Sequence, residues 1–167
     1  MKLYQNEFKE RFSRYFDLEE NIKVGNRKFD LKATYNQRSA QYMAVKNIEI
    51  YAFQNNEYVF LKKIDEELTD EFFADLKKWL SDYVDDIVEV NEEHMESMIT
   101  IIFENNRILK PEEEKRLKKF KFYKSYCLGF RGWVNVKAFY IHPESNLIYA
   151  NKRGKGDCKR LLREEQN

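Results

Sequence analysis

A chain of 167 residues, 43% hydrophobic and 16% aromatic, holds enough apolar surface to bury a core, which excludes disorder despite 35% charged residues. Net charge is +1, so bulk electrostatics single out no partner, but the sign is unevenly spread. Thirteen acids face only Lys77 and Lys78 between Asp65 and Glu96, whereas Arg107 to Arg163 holds sixteen bases and five acids. That asymmetry fits either a nucleic-acid face with an acidic counter-face or two solvated faces of opposite sign packed side by side.

In chain order, Tyr4, Phe8, Phe12, Tyr15 and Phe16 recur at three- and four-residue spacing and predict an amphipathic helix over Leu3–Phe16. Gly25-Asn26 marks a turn. Phe29, Leu31, Ala33 and Tyr35 alternate with polar residues, predicting a half-buried strand; Gln37–Ala40 turns the chain into a longer strand, Tyr42–Phe53. Gln54-Asn55-Asn56 reverses it, and Tyr58–Lys63 completes an antiparallel meander. Thr69 is placed to cap a helix whose acidic first turn suits the helix dipole and whose stripe is Phe72, Leu76, Trp79, Leu80 and Tyr83. Met95, Ile99, Ile102 and Phe103 predict a helix over Glu92–Asn106, and Pro111 starts a short one over Glu112–Lys119. Strands follow near Phe120–Leu128, Gly132–His142 and Leu147–Arg153, with His142–Ser145 as a turn and Asp157–Glu165 as a final helix.

Phe29–Lys63 recurs 91 residues later as Phe120–Gly154, without a gap, matching Tyr35 to Tyr126, Val45-Lys46 to Val136-Lys137 and Tyr58 to Tyr149. The predicted fold is therefore α+β, a tandem internal repeat of helix, three-stranded antiparallel meander and helix. Residues 1–90 and 91–167 would be pseudo-twofold halves of one compact unit sharing one core. In both copies the apolar parity of the long strand switches, near Lys46 and Lys137. The switch signals either a bulge or burial on both faces, and its recurrence favours the bulge.

No nucleotide-binding or hydrolase motif occurs, and neither His94 nor His142 has a Cys or carboxylate at ligand spacing, so no catalytic residue, metal or cofactor is predicted and the chain reads as a non-enzyme. Asp30-Leu31-Lys32 suggests the acidic strand of a metal-dependent nuclease, but Glu49-Ile50-Tyr51 lacks the lysine such a site needs. Clustered carboxylates over 69–86 read as solvated surface or as an acidic docking helix. Cys158, near a basic helix start, could carry a lowered thiol pKa, though an idle thiol is the simpler reading for it and for Cys127. Two cysteines without CxxC, and no apolar leader, predict a reducing, cytoplasmic setting. No run approaches the ~20 apolar residues of a membrane span.

Function is sought where the two copies differ. Lys118, Lys119 and Lys121 stand among Phe120, Phe122 and Tyr123, and Lys152, Arg153, Lys155, Lys159, Arg160 and Arg163 run through a glycine-bearing turn into a helix start, a natural phosphate cradle. Helix, three strands and helix is also the order of the double-stranded-RNA-binding domain, and Gly154–Arg163 resembles the small-residue, lysine-rich entry to that family's second helix. The resemblance implies that Lys155, Lys159, Arg160 and Arg163 contact phosphates across a duplex groove. The alternative is a protein-interaction or regulatory module, inhibitor- or antitoxin-like, using the acidic helix or the aromatic turn 129–133. There Phe130, Arg131 and Trp133 would meet the partner, with Phe130 partly exposed and Trp133 buried. Oligomeric state is left open.

Overall fold

The computed structural model describes residues 2–35, 56–90 and 96–161. Within them the chain forms a mixed α+β fold in which a seven-stranded sheet is covered on both faces. Helix α1 (Lys2–Phe12) leads into strands β1 (Phe16–Val24) and β2 (Arg27–Tyr35). Strand β3 (Glu57–Lys63), helix α2 (Asp70–Ile87) and strand β4 (Glu96–Glu104) follow. Helix α3 (Pro111–Lys119) and strands β5 (Tyr123–Ser125), β6 (Trp133–His142) and β7 (Leu147–Ala150) precede a single helical turn, α4 (Cys158–Leu161). The sheet order is β1-β2-β3-β4-β6-β5, with β7 also on β6. β1, β2 and β3 pair antiparallel, whereas β3, β4 and β6 run parallel, as strands joined through crossover helices must.

One face packs under α2 and Leu117 of α3, through Phe60, Ile99, Ile101, Phe103, Val134, Val136 and Tyr140. The other packs under Phe8 and Phe12 of α1, with Leu31, Val59, Leu61, Ile102, Phe139 and Ile141. Thr69 caps α2 as expected, its Oγ1 accepting the Phe72 N–H at 3.1 Å. The buried stripe includes Phe72, Leu76, Trp79 and Leu80. Trp79 donates its ring N–H to the Val24 carbonyl at 2.9 Å, fastening the β1–β2 turn to α2.

Four expectations are corrected. Helix α1 ends at Phe12, and Phe16–Val24 is a strand: the aromatic spacing runs into Phe16 and hides the alternation of Phe16, Leu18, Ile22 and Val24. Glu96–Glu104 is strand, not helix. Met98 through Phe103 are each at most 4% exposed, and a central strand covered on both faces reads as an unbroken apolar run that a helical template also fits. The tandem αβββα repeat and its twofold axis are not seen, because an offset of 91 residues lays α1 on β4. No bulge interrupts β6 at Lys137. Residues 133–141 pair one-to-one with Glu96–Glu104, and the parity switch reflects burial on both faces from Ala138 onward. The strand expected at Tyr42–Phe53, with its bulge at Lys46, lies outside the described residues, as does His94.

Candidate nucleic-acid interface

The site starts from a gap in the sheet. On its outer edge β6 takes β5 along Trp133–Asn135 and β7 along Phe139–His142, leaving the stretch between them without a strand. Asn151 fills the gap. Its Nδ2 donates to the Val136 carbonyl at 3.0 Å and its Oδ1 accepts the Ala138 N–H at 3.1 Å, while its backbone N–H donates to the Ala138 carbonyl at 2.9 Å. The same amide donates to the Phe120 carbonyl at 3.1 Å and accepts the Gly154 N–H at 2.9 Å. Asn151 is fully buried, and a buried amide of this kind must have such partners.

One side chain thus fixes the turn 151–157 and the segment that follows α3. Lys152 N–H donates to the Lys118 carbonyl at 3.3 Å, bringing the two basic runs side by side. Gly154 lies so close to Phe139 that an added Cβ would stand 2.7 Å from its ring. Lys118, Lys119, Lys121, Lys152, Arg153, Lys155 and Lys159 are all exposed. Lys118 pairs with Glu114 at 2.5 Å and Arg153 with Glu96 at 3.0 Å. No carboxylate stands within ion-pair distance of Lys119, Lys121, Lys152, Lys155 or Lys159 among the described residues. Arg163 lies outside the described residues, and α4 carries Arg160 on its backbone.

Three other bases of the C-terminal half pair with the acidic run. Lys110 pairs with Glu67, Arg116 with Asp70 at 3.1 Å and Lys124 with Asp85 at 2.7 Å. Asp85 also accepts the Tyr126 hydroxyl at 2.8 Å; the lysine holds its carboxyl below the usual range, while burial and the carboxylate push the Tyr126 phenol up. Side-by-side packing of opposite charge therefore accounts for the α2 flank, and the uncompensated bases collect on the 118–121 and 152–159 flank.

Beside this rim lies a partly open part of the sheet. Val134 and Val136 enter the core under α2, so Trp133, Asn135 and Lys137 project from the opposite face. Tyr123 stands opposite Asn135, and Ser125 opposite Trp133, on that same face. Tyr123 is 61% exposed and Trp133 half-buried, less enclosed than the sequence suggested. Glu96 accepts from Arg153 and, at 3.1 Å, from Asn135, which holds the guanidinium over this face. Lys137 pairs with Asp157 at 2.7 Å. At the hairpin tip Leu128 and Phe130 are 95% and 88% exposed. Cys127 and Leu128 both take left-handed backbone angles, with φ of 50° and 55°. The tip is held by bonds from Gly129 and Arg131 N–H to the Tyr126 carbonyl and from Tyr126 N–H to that of Gly132. Arg131 beside it is exposed.

Other candidates resolve differently. Burial pushes the Cys158 thiol up rather than down, opposite to the lowering that a basic helix start would bring. His142 Nδ1 accepts the Ser145 N–H at 3.1 Å, closing the β6–β7 turn. Asp30 accepts the Lys63 backbone N–H at 2.7 Å, beside a cleft of about 350 Å³ lined by Asn21, Lys23, Lys28, Phe29, Lys62 and Lys63. Glu49, the other carboxylate of the nuclease reading, lies outside the described residues. No group of three metal-ligating side chains is assembled among the described residues, and none of their helices is long and apolar enough to cross a membrane.

The dsRNA-binding resemblance meets a topological difference: β5 and β7 share one edge of β6, whose other edge takes β4 in parallel. The family model that matches is Domain of unknown function (DUF8052), over residues 1–163. The chain belongs to that family. No curated protein matches it. In this DUF8052 chain sequence reasoning missed Asn151 and Glu96, which position the basic turn. The only sequence signal was an asparagine closing an apolar strand ahead of the basic turn, at Ala150-Asn151-Lys152.

Proposed function

We propose that this DUF8052 chain is a non-enzymatic nucleic-acid-binding protein of the cytoplasm that engages phosphates through Lys118, Lys119, Lys121, Lys152, Arg153, Lys155 and Lys159, joined by Arg160 and Arg163 as the chain continues. The observation that carries this reading is the junction at Asn151. A fully buried amide spends its bonding capacity on holding a lysine-bearing turn against the lysine-bearing end of α3. Exposed lysines without an ion-pair partner among the described residues, here Lys119, Lys121, Lys152, Lys155 and Lys159, are the features that phosphate contacts need.

The test is a gel shift of single-stranded and duplex oligonucleotides across a salt series. Binding should weaken with salt, by about 0.7 to 0.9 log unit per log unit of salt for each phosphate neutralised. K121E/K152E/K155E should abolish the shift while leaving the far-UV spectrum unchanged. No shift of either probe at low salt would sink the proposal.

A second reading rests on the hairpin tip, where Leu128 and Phe130 are displayed on a hydrogen-bonded, left-handed turn beside Arg131. Such a tip could anchor a protein partner, with Trp133 at its base. Capture of a discrete partner that is lost with L128D/F130D, in a chain that shifts no oligonucleotide, would decide for it.

A further inference from the structure

We infer that the nucleic acid bound here is single-stranded and that its bases stack on Tyr123 and Trp133; this rests on the nucleic-acid reading above. The rim alone would accept any phosphate backbone, and the open sheet face beside it narrows the choice. Tyr123 and Trp133 are diagonal neighbours on one face of the β5–β6 pair, a spacing of roughly 7–8 Å between Cα positions. Among the described residues neither ring stacks on another aromatic ring, and Trp133 is half-buried. Tyr123 is 61% exposed, so its ring is open to solvent on this face.

Charge on and around this face is complementary to a single strand. Lys121, Lys137, Lys152, Arg153 and Lys155 outnumber the two carboxylates, Glu96 and Asp157, both already engaged by Arg153 and Lys137. Glu96 holds the Arg153 guanidinium next to Asn135 and Trp133. The bases therefore border the rings. Base pairs in a duplex present only their edges, so exposed aromatic faces bordered by lysine and arginine suit an unstacked strand.

The experiment uses the full chain with dT20 and a 20-base-pair duplex, read by tryptophan fluorescence and anisotropy. Trp79 is buried, at 3% exposure, so quenching reports Trp133. We expect dT20 to quench the emission and to bind more tightly than the duplex. Y123A should weaken dT20 by at least about five-fold, the low end of one lost base stack, and Y123F should restore it. K152E/K155E should weaken both probes. A Y123A chain that holds dT20 as well as wild type, or a duplex bound as tightly as dT20, overturns the inference and leaves the phosphate-binding proposal standing. Absence of binding by both probes overturns the two together.

Discussion

Glu113 is 2% exposed, yet its carboxylate oxygens accept four hydrogen bonds. Arg107 grips it with two bonds of 2.6 and 2.7 Å, and the backbone N–H groups of Lys110 and Leu68 add bonds at 2.9 and 2.8 Å. The Arg107 guanidinium, and then these amides, pull its pKa from 4.5 to about 2 against the opposing effect of burial. A depressed carboxyl stabilises the fold above its unfolded pKa and ceases to do so as pH falls through the folded value. The contribution, about 3 kcal/mol, is complete above about pH 5 and vanishes near pH 2. E113Q should therefore trail wild type in urea stability at pH 7, and the difference should shrink by about that amount on approaching pH 2. A pH-independent difference would refute this. Neither Glu113 nor Asn151 was legible in the sequence as a fastening point. Glu113 looked like one acid of three at a helix start, and the gap that Asn151 fills exists only once β5 and β7 have docked on the same edge.

At the scale of elements, α2, α3, β2, β3, β6 and β7 could be read directly, because each shows an amphipathic stripe, a stretch of alternation or a recognisable start or stop. Thr69 and Pro111 are local signals that tertiary packing did not override. β1 and β4 were misread, since a strand covered on both faces has no period and an aromatic helix can run by spacing alone into the next strand. The β1–β2 turn shows how much depends on one docking point. Gly25 adopts φ +58°, and a Cβ there would fall 2.1 Å from the Tyr83 ring. Gly25→Ala combines left-handed strain with overpacking and should lower stability by about 2–3 kcal/mol. Adding Tyr83→Ala should recover the overpacking part, leaving about 1 kcal/mol of backbone strain in a double-mutant cycle. Strict additivity of the two changes would show that the turn does not rest on α2.

For the whole molecule, the boundary expected near residue 90 falls inside a continuous sheet. β3 pairs with β4 along its whole length, Glu57–Lys63 on Met98–Glu104, and α2, from the first half, covers Ile99, Ile101 and Phe103 of the second. Residues 1–90 alone would expose the β3 edge and the underside of α2, and residues 91–167 would lose their roof. Neither fragment should unfold cooperatively by itself, and a mixture should regain the far-UV spectrum and thermal transition of the intact chain. A sharp transition in either isolated half would show two autonomous domains. The offset of 91 residues that suggested duplication is a real sequence pattern, but alternation and turn chemistry recur wherever strands do. Only pairing partners distinguish copies from look-alikes.

The plug at β6 also governs which changes the surface can accept over evolutionary time. Asn151 stands in for a missing strand, so the turn that follows must leave from one fixed point and return Gly154 to contact Phe139. Its lysines project outward and are replaceable one at a time, whereas an inserted or deleted residue would uncover the Val136 carbonyl and the Ala138 amide. Among descendants of this fold, the turn should stay constant in length, unlike ordinary surface loops, which drift.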